Sequence, residues 1–181
     1  MRIFGIDPGS DRTGYGCVET DGIRHRIVLS GAISTPALAS FPQKLLRIHE
    51  RLAVMLGACE PDCVAIENMF HSVNVRSALK LGHARGVAVL AAVQAGLPVA
   101  EYTPAEIKLA LVGYGRADKQ QVQHMVALVL GLRSRPSPHD AADALAVAIC
   151  HVHSLTPGRA ASSDRRSKAA TSWRHYRPAR P

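Results

Sequence analysis

The sequence has 181 residues, 47% of them hydrophobic, so it is long enough to bury a core of ordinary size and too apolar to remain unfolded. No apolar run approaches the roughly 20 residues that a membrane span requires. Asp7 interrupts the N-terminus before a signal-peptide pattern can form, so we expect a cytoplasmic protein. The four cysteines have no framework spacing, and we expect them to be reduced and mostly buried.

The net charge of +8 is unevenly distributed along the chain. Residues 156–181 contain seven Lys or Arg and one acid, a balance of +6, whereas residues 1–155 contain fifteen bases and thirteen acids, a balance of +2. We therefore predict one folded domain over residues 1–155 and a basic, disordered tail over residues 156–181. Such a tail favours a polyanionic partner, most simply nucleic acid, but a merely solubilising tail would have the same composition.

The first predicted strand ends in a carboxylate. It runs from the N-terminus to Asp7, where Pro8 and Gly9 end the ladder and turn the chain. A return strand over residues 13–19 would form a hairpin with Asp7 at its lip. On this stretch alone, Asp7 could bind a metal ion or only cap the turn through its side chain.

The remaining pattern alternates strands and helices, which predicts an α/β domain with a mixed sheet. The segments in chain order are a strand at 26–35, a helix at 41–57, a strand at 63–66, a helix at 74–95, a strand at 98–102, and helices at 103–111, from 118 onward and at 139–154. The strand at 63–66 is continuously apolar and also ends in an acid, Glu67. Because ligand sites of α/β sheets gather at the carboxyl ends of strands, Asp7 and Glu67 are candidates for one site.

The helix at residues 74–95 has small residues at four-residue spacing, Ala78, Gly82 and Gly86. Glycine in a helix costs about 0.5–1 kcal/mol relative to alanine, so the spacing suggests close approach by another backbone. That partner is either a core strand or the same helix of a second subunit.

The last predicted helix contributes two more acids. Asp140 and Asp143 are three residues apart, on one face of a helix that is otherwise almost wholly apolar. Two like charges there repel each other, and each resists removal from water, so something cationic must offset them unless one faces solvent. A divalent metal ion would account for both aspartates.

Asp7, Glu67, Asp140 and Asp143 together form a set of oxygen ligands, which suits Mg²⁺ or Mn²⁺ rather than zinc. Two such ions about 3.5–4 Å apart can activate a water and stabilise the leaving oxygen during in-line attack at a phosphodiester.

Five stretches of the sequence carry a resemblance to a known family. They are Gly5-Ile-Asp-Pro-Gly, Ala65-Ile-Glu-Asn-Met-Phe, Ser77-Ala-Leu-Lys-Leu-Gly-His-Ala-Arg-Gly, Val112-Gly-Tyr-Gly-Arg-Ala-Asp-Lys-Gln-Gln-Val and Asp140-Ala-Ala-Asp-Ala-Leu-Ala. In this order, and covering most of residues 1–155, they resemble the RuvC family of bacterial Holliday-junction endonucleases, within the ribonuclease H-like superfamily.

The resemblance implies a ribonuclease H-like fold, a five-stranded mixed β-sheet flanked by α-helices. It also implies a homodimer that resolves four-way junction DNA by symmetric nicking of two opposed strands during recombination and repair, in concert with the RuvA–RuvB branch-migration complex. Asp7, Glu67, Asp140 and Asp143 would be the catalytic, metal-binding carboxylates, with two Mg²⁺ ions per subunit that Mn²⁺ can replace. The helix at 74–95 would form the dimer interface.

The resemblance also suggests DNA contacts. Lys108 and Lys119 fall on family positions associated with the DNA backbone and the scissile phosphate, and Phe70 matches an aromatic that stacks at the junction centre. From the residues alone, Phe70 could stack on unpaired bases or anchor a loop in the core. Arg76 could contact a phosphate or remain solvated, and His139 could assist at the metal edge or only occupy the first helical turn.

Three alternatives remain at this point. A ribonuclease H that cuts RNA–DNA hybrids would use the same acids, and a nucleic-acid-binding module without catalysis would not need them. An actin-like ATPase also opens with a strand, an Asp and a glycine turn, but that class needs two related domains and this chain is short for it.

Overall fold

The computed structural model describes residues 1–68 and 74–155, and within them the chain forms five strands and five helices. The strands are β1 (Arg2–Asp7), β2 (Arg12–Thr20), β3 (His25–Ser34), β4 (Cys63–Glu67) and β5 (Val99–Tyr102). The helices are α1 (Phe41–Cys59), α2 (Val75–Gln94), α3 (Pro104–Val112), α4 (Lys119–Val129) and α5 (His139–Leu155). Each predicted element is confirmed to within a few residues. The predicted tail at 156–181 lies outside the described residues.

The strands form one mixed sheet in the order β3-β2-β1-β4-β5. β1 pairs antiparallel with β2 and parallel with β4, and β4 pairs parallel with β5. Ile6 of β1 is opposite Ile66 of β4, so the next residue on each strand, Asp7 and Glu67, emerges at the same edge of the sheet. The sheet therefore brings the two strand-end acids together, as the sequence predicts.

Helices cover both faces of the sheet and bury two apolar clusters. On one face, Phe4 and Ile66 pack with residues of α1 and α2. On the other face, Ile3 and Ala65 pack with residues of α3, α4 and α5. All four cysteines are buried and free, as expected from the sequence. In the part of the chain that the structure describes, no helix combines the length and apolar character needed to cross a membrane.

Helix α5 packs closely against the first hairpin, formed by β1 and β2. A Cβ at Gly5 would lie 2.0 Å from the carbonyl oxygen of Ala144, and a Cβ at Gly14 would lie 2.0 Å from that of Asp140. Gly16, two residues further along β2, faces Leu145 in the same way. Because real Cβ atoms do not approach other atoms this closely, only glycine lets α5 lie directly on the strands. This contact sets the position of the helix that carries Asp140 and Asp143.

Candidate active site

Asp7 and Glu67 form a carboxyl pair at the ends of β1 and β4. Their side chains are hydrogen-bonded to each other. Burial raises the pKa of both groups, and the negative charge of Glu67 raises the pKa of Asp7 further. Two carboxylates that share a site do not ionise independently, so one proton is held between them in the absence of a cation.

The turn after Asp7 is held by a different side chain. The hydroxyl of Thr13, which is fully buried, donates to the carbonyl oxygen of Gly9 at 2.7 Å and accepts from the Gly9 N–H at 3.3 Å. Thr13 thereby ties the Pro8-Gly9 turn to β2, and the Asp7 carboxyl is left to bond Glu67. Of the two roles that the sequence left open for Asp7, that of capping this turn is therefore taken by Thr13.

Asp143 is paired with a lysine from another helix. The Nζ of Lys119 lies 2.6 Å from Oδ2 of Asp143. Lys119 is the first residue of α4, and the preceding residue, Asp118, caps the helix by accepting a hydrogen bond from the Gln121 N–H at 2.9 Å. The hydrogen bond to Asp143 raises the pKa of Lys119, and the negative charges of Asp143, Asp7 and Asp140 raise it further, against the effect of burial.

Asp140 is paired with an arginine from β2. The Nη2 of Arg12 lies 2.9 Å from Oδ2 of Asp140. The two aspartates of α5 are thus each bonded to a different cation, Lys119 for Asp143 and Arg12 for Asp140. This meets the requirement, evident from the sequence, that something cationic offset two acids on an apolar helix. Sequence reasoning did not identify Arg12.

A cavity of about 290 Å³ lies at this edge of the sheet. Three of the four predicted acids line it, together with both predicted lysines: Asp7, Glu67, Asp143, Lys108 and Lys119. Its apolar wall comes from α3, α4 and α5, with Ile107, Val122 and Ala146. The charges of Lys119 and Lys108 lower the pKa of Glu67, although burial, acting in the opposite direction, has the larger effect.

The donor set of this cavity fits a hard divalent cation. Within residues 1–68 and 74–155, no group of three or more His, Cys, Asp and Glu side chains stands ready to hold a metal ion, and two of the four acids are paired with cations instead. The partly buried pair of Asp7 and Glu67 nevertheless supplies carboxylate oxygens in a position where ionisation is costly, and a divalent cation would relieve that cost. Asp143 lies close enough for its charge to raise the pKa of both.

The other predicted site residues are more dispersed. Arg76 lies in the first turn of α2 with an exposed side chain, and it does not line the cavity. The Nδ1 of His139 lies 3.3 Å from Nε2 of Gln123 on α4. Phe70 lies outside the described residues.

The stripe of small residues predicted on α2, Ala78, Gly82 and Gly86, is exposed. A Cβ at Gly82 or Gly86 would have open space around it, so the interpretation that these glycines pack on a core strand is wrong. Large apolar side chains of α2 are exposed along its length: Val75 at 75%, Leu79 at 60%, Leu90 at 50% and Val93 at 59%. An apolar helical face of this kind is typical of an interface.

Comparison with known proteins identifies the family to which this chain is similar. A family model described as "Crossover junction endodeoxyribonuclease RuvC" matches residues 3–151. A protein of that description from Trichlorobacter lovleyi is 51% identical over 182 residues, which cover 98% of this chain and 100% of the relative. One from Chloroflexus aggregans is 51% identical over 153 residues, or 84% of this chain and 93% of the relative.

Among solved structures, Thermus thermophilus RuvC in complex with Holliday junction substrate superposes with a TM-score of 0.81 at 37% identity, covering 85% of this chain and 94% of that chain. The yeast mitochondrial Holliday junction resolvase superposes with a TM-score of 0.57 at 11% identity, covering 83% of this chain and 78% of that one. At this identity the superposition supports the fold only. The predicted ribonuclease H-like fold with a five-stranded mixed sheet is confirmed.

Proposed function

The chain belongs to the RuvC family of crossover junction endodeoxyribonucleases, and from that premise we propose that it resolves Holliday junctions by metal-dependent, symmetric nicking of two opposed DNA strands during recombination and repair. One observation carries the proposal, namely the partly buried carboxyl pair of Asp7 and Glu67 in a cavity that Asp143 shares with Lys108 and Lys119. Acids and lysines on one wall suit a phosphodiester, because the acids can bind cations while the lysines bind phosphate oxygens.

In this proposal the catalytic, metal-binding carboxylates are Asp7, Glu67, Asp140 and Asp143, and they hold two Mg²⁺ ions per subunit, for which Mn²⁺ can substitute. Such ions activate a water and stabilise the leaving oxygen when bound. Asp7 and Glu67 lie at the ends of neighbouring strands, so their oxygens have little freedom to move away. The proton held by the pair leaves when the site is loaded, because a cation favours the ionised form of both groups.

Symmetric cutting of opposed strands needs two active sites, and we propose that a homodimer supplies them through α2. Support comes from the exposed apolar side chains of that helix and from the open space around Gly82 and Gly86, into which a second backbone could fit. The family resemblance adds the RuvA–RuvB complex as a partner. Since the relatives are bacterial and the proposed substrate is DNA, we propose that the protein acts in the cytoplasm.

The DNA contacts are part of the same proposal. Lys108 and Lys119 bind the backbone near the scissile phosphate, Phe70 stacks on bases at the junction centre, and Arg76 contacts a phosphate at the edge of the cleft. Residues 1–155 form the nuclease domain. The basic segment at residues 156–181 adds non-specific attraction to the phosphate backbone, which deletion of the segment would weaken most at low salt.

The test offers the protein three substrates with Mg²⁺: a mobile four-way junction, linear duplex DNA and an RNA–DNA hybrid. We expect paired, symmetric nicks in the junction alone, and cleavage of the hybrid with junctions left intact would overturn the proposal. Asp7→Asn should abolish nicking while junction binding in a gel-shift assay persists. Asp21→Asn, in an exposed turn of the β2–β3 hairpin, is the matched control and should cut normally.

A further inference from the structure

Arg12 is a cation of the chain that occupies one of the proposed metal ligands. We propose that Arg12 holds the carboxylate of Asp140 while the enzyme is free of metal, and that a divalent cation must displace it, so that Arg12 sets the metal affinity of the site. This inference rests on the proposed role of Asp140 as a metal ligand. It makes Arg12 a residue that acts through Asp140 and not a catalytic residue.

The backbone around Arg12 fixes its approach to Asp140. Side chains alternate along a strand, so Arg12, Gly14 and Gly16 lie on the same face of β2, and both glycines lie directly under α5. Gly14 faces the carbonyl oxygen of Asp140 itself. The start of β2 is therefore held against the start of α5 by backbone packing, and Arg12 is the next side chain on that face. The 2.9 Å contact is a result of this packing and not a chance meeting of two flexible surface chains.

The contact competes directly with metal binding. The guanidinium donates to a carboxylate oxygen, Oδ2 of Asp140, whose lone pairs a metal ion would use. The metal ion must therefore replace the guanidinium as the partner of this oxygen. Half of the Arg12 side chain is exposed, which gives it solvent to move into when a doubly charged ion arrives.

Lys119, on α4, differs from Arg12 in its surroundings. Its partner Asp143 lies one turn along α5 from Asp140. The ammonium of Lys119 bonds Asp143 but also lies among Asp7 and Asp140, and it lines the cavity. Lys119 is thus placed to remain beside the reacting phosphate, whereas Arg12 stands at the start of α5, outside the set of cavity-lining residues. The effect of Arg12 on metal binding can therefore be measured without removing a group that lines the cleft.

The experiment titrates Mn²⁺ into the full-length protein without DNA and follows free Mn²⁺ by electron paramagnetic resonance. Arg12→Gln keeps the length and hydrogen-bonding capacity of the side chain but removes its charge. Exposed ion pairs are worth little, so we expect Arg12→Gln to bind Mn²⁺ about two- to fivefold more tightly than the wild type. Arg12→Lys, which keeps the charge, should remain close to the wild type. Arg24→Gln removes an arginine from an exposed pair with Asp21 in the β2–β3 turn and should leave the affinity unchanged.

Weaker or unchanged Mn²⁺ binding by Arg12→Gln would overturn the inference, because an arginine that merely orients Asp140 would help the metal to bind. Asp7→Asn separates this outcome from failure of the proposed function. If Asp7→Asn binds Mn²⁺ as tightly as the wild type does, Asp7 is not a metal ligand and both proposals fail. If Asp7→Asn abolishes binding while Arg12→Gln does not change it, only the role of Arg12 is refuted. Matching thermal melts of the Arg12 variants establish that each one is folded.

Discussion

Replacement of Asp7 by asparagine is expected to stabilise the metal-free protein although it abolishes cutting. In the wild type, Asp7 and Glu67 are two partly buried acids in hydrogen-bonding contact. Both ionise freely in the unfolded chain, whereas in the folded protein they either repel each other or take up a proton. Asparagine has nearly the same shape as aspartate, its amide can donate to Glu67, and it carries no charge. The substitution therefore removes a cost that the site bears only for the sake of its ligand.

The magnitude follows from two competing terms. Two unit charges about 4 Å apart repel by about 4 kcal/mol at an effective dielectric constant of 20. Holding a proton on an aspartate at pH 8 costs about 5.5 kcal/mol, since its pKa in the unfolded chain is near 3.9 and each unit is about 1.36 kcal/mol. Burial opposes ionisation in addition to this repulsion, so the folded protein keeps a proton on the pair, and the hydrogen bond between the two carboxyls offsets part of the cost. We therefore expect Asp7→Asn to raise the free energy of unfolding by about 1–3 kcal/mol at pH 8.

The assay is urea unfolding in the presence of EDTA, monitored by circular dichroism. Asp21→Asn is the control, because hydrogen bonds from the backbone N–H groups of Arg24 and Ile23 lower the pKa of Asp21 to about 2, so loss of that charge should destabilise slightly. A free energy of unfolding for Asp7→Asn equal to or below that of the wild type would refute the reasoning. It would mean that the carboxyl pair stabilises the folded protein and does not destabilise it.

The same pair gives a pH dependence with a definite sign. Because the pKa values of Asp7 and Glu67 are raised in the folded state, the folded protein binds more protons than the unfolded chain at pH values above about 4. The contribution of this pair to the free energy of unfolding of the metal-free wild type should therefore fall as the pH rises, and the advantage of Asp7→Asn over the wild type should widen between pH 5 and pH 8. If the difference in free energy of unfolding between Asp7→Asn and the wild type became smaller as the pH rises, the raised pKa values of Asp7 and Glu67 would be contradicted.

Two further predictions concern packing. Gly14→Ala should lower the free energy of unfolding by about 1–3 kcal/mol, because the new Cβ would meet the carbonyl oxygen of Asp140. Gly57→Ala, in an open part of α1, should raise it by about 0.5–1 kcal/mol. Equal effects of the two substitutions in urea unfolding would contradict the close contact at Gly14. Leu79→Glu should shift the protein toward the monomer in analytical ultracentrifugation, while Leu38→Glu, fully exposed outside α2, should not; a dimer insensitive to Leu79→Glu would place the interface elsewhere.

The strand-end acids could be predicted from the sequence because their signal is local. An apolar run that stops at a carboxylate identifies both the strand and its end, and the parallel pairing of β1 with β4 then brings Asp7 and Glu67 together. The helical spacing of Asp140 and Asp143 is equally local. It established that the two acids needed cations, but it could not show that the chain itself supplies them.

Arg12 and Gly14 escaped prediction because their partners lie more than a hundred residues away in the sequence. One signal was present: glycines at alternate positions of a strand, Gly14 and Gly16, leave one face bare, and a bare face usually admits a closely packed element. An alanine-rich helix elsewhere in the chain is the natural candidate. The spacing of Gly82 and Gly86 indicated close approach by another backbone. It could not show whether that backbone is a core strand of the same chain or a helix of a second subunit.

The contact between the first hairpin and α5 also bears on how this active site can move. Side chains can change rotamer, but main-chain atoms in direct contact cannot slide past each other without loss of the packing at Gly5 and Gly14. Asp7 and the α5 aspartates should therefore travel as one rigid unit. Adjustment of the cleft to a bent or branched substrate then falls to α4, which carries Lys119. In relaxation-dispersion measurements, we expect millisecond exchange in α4 while the hairpin and α5 show none.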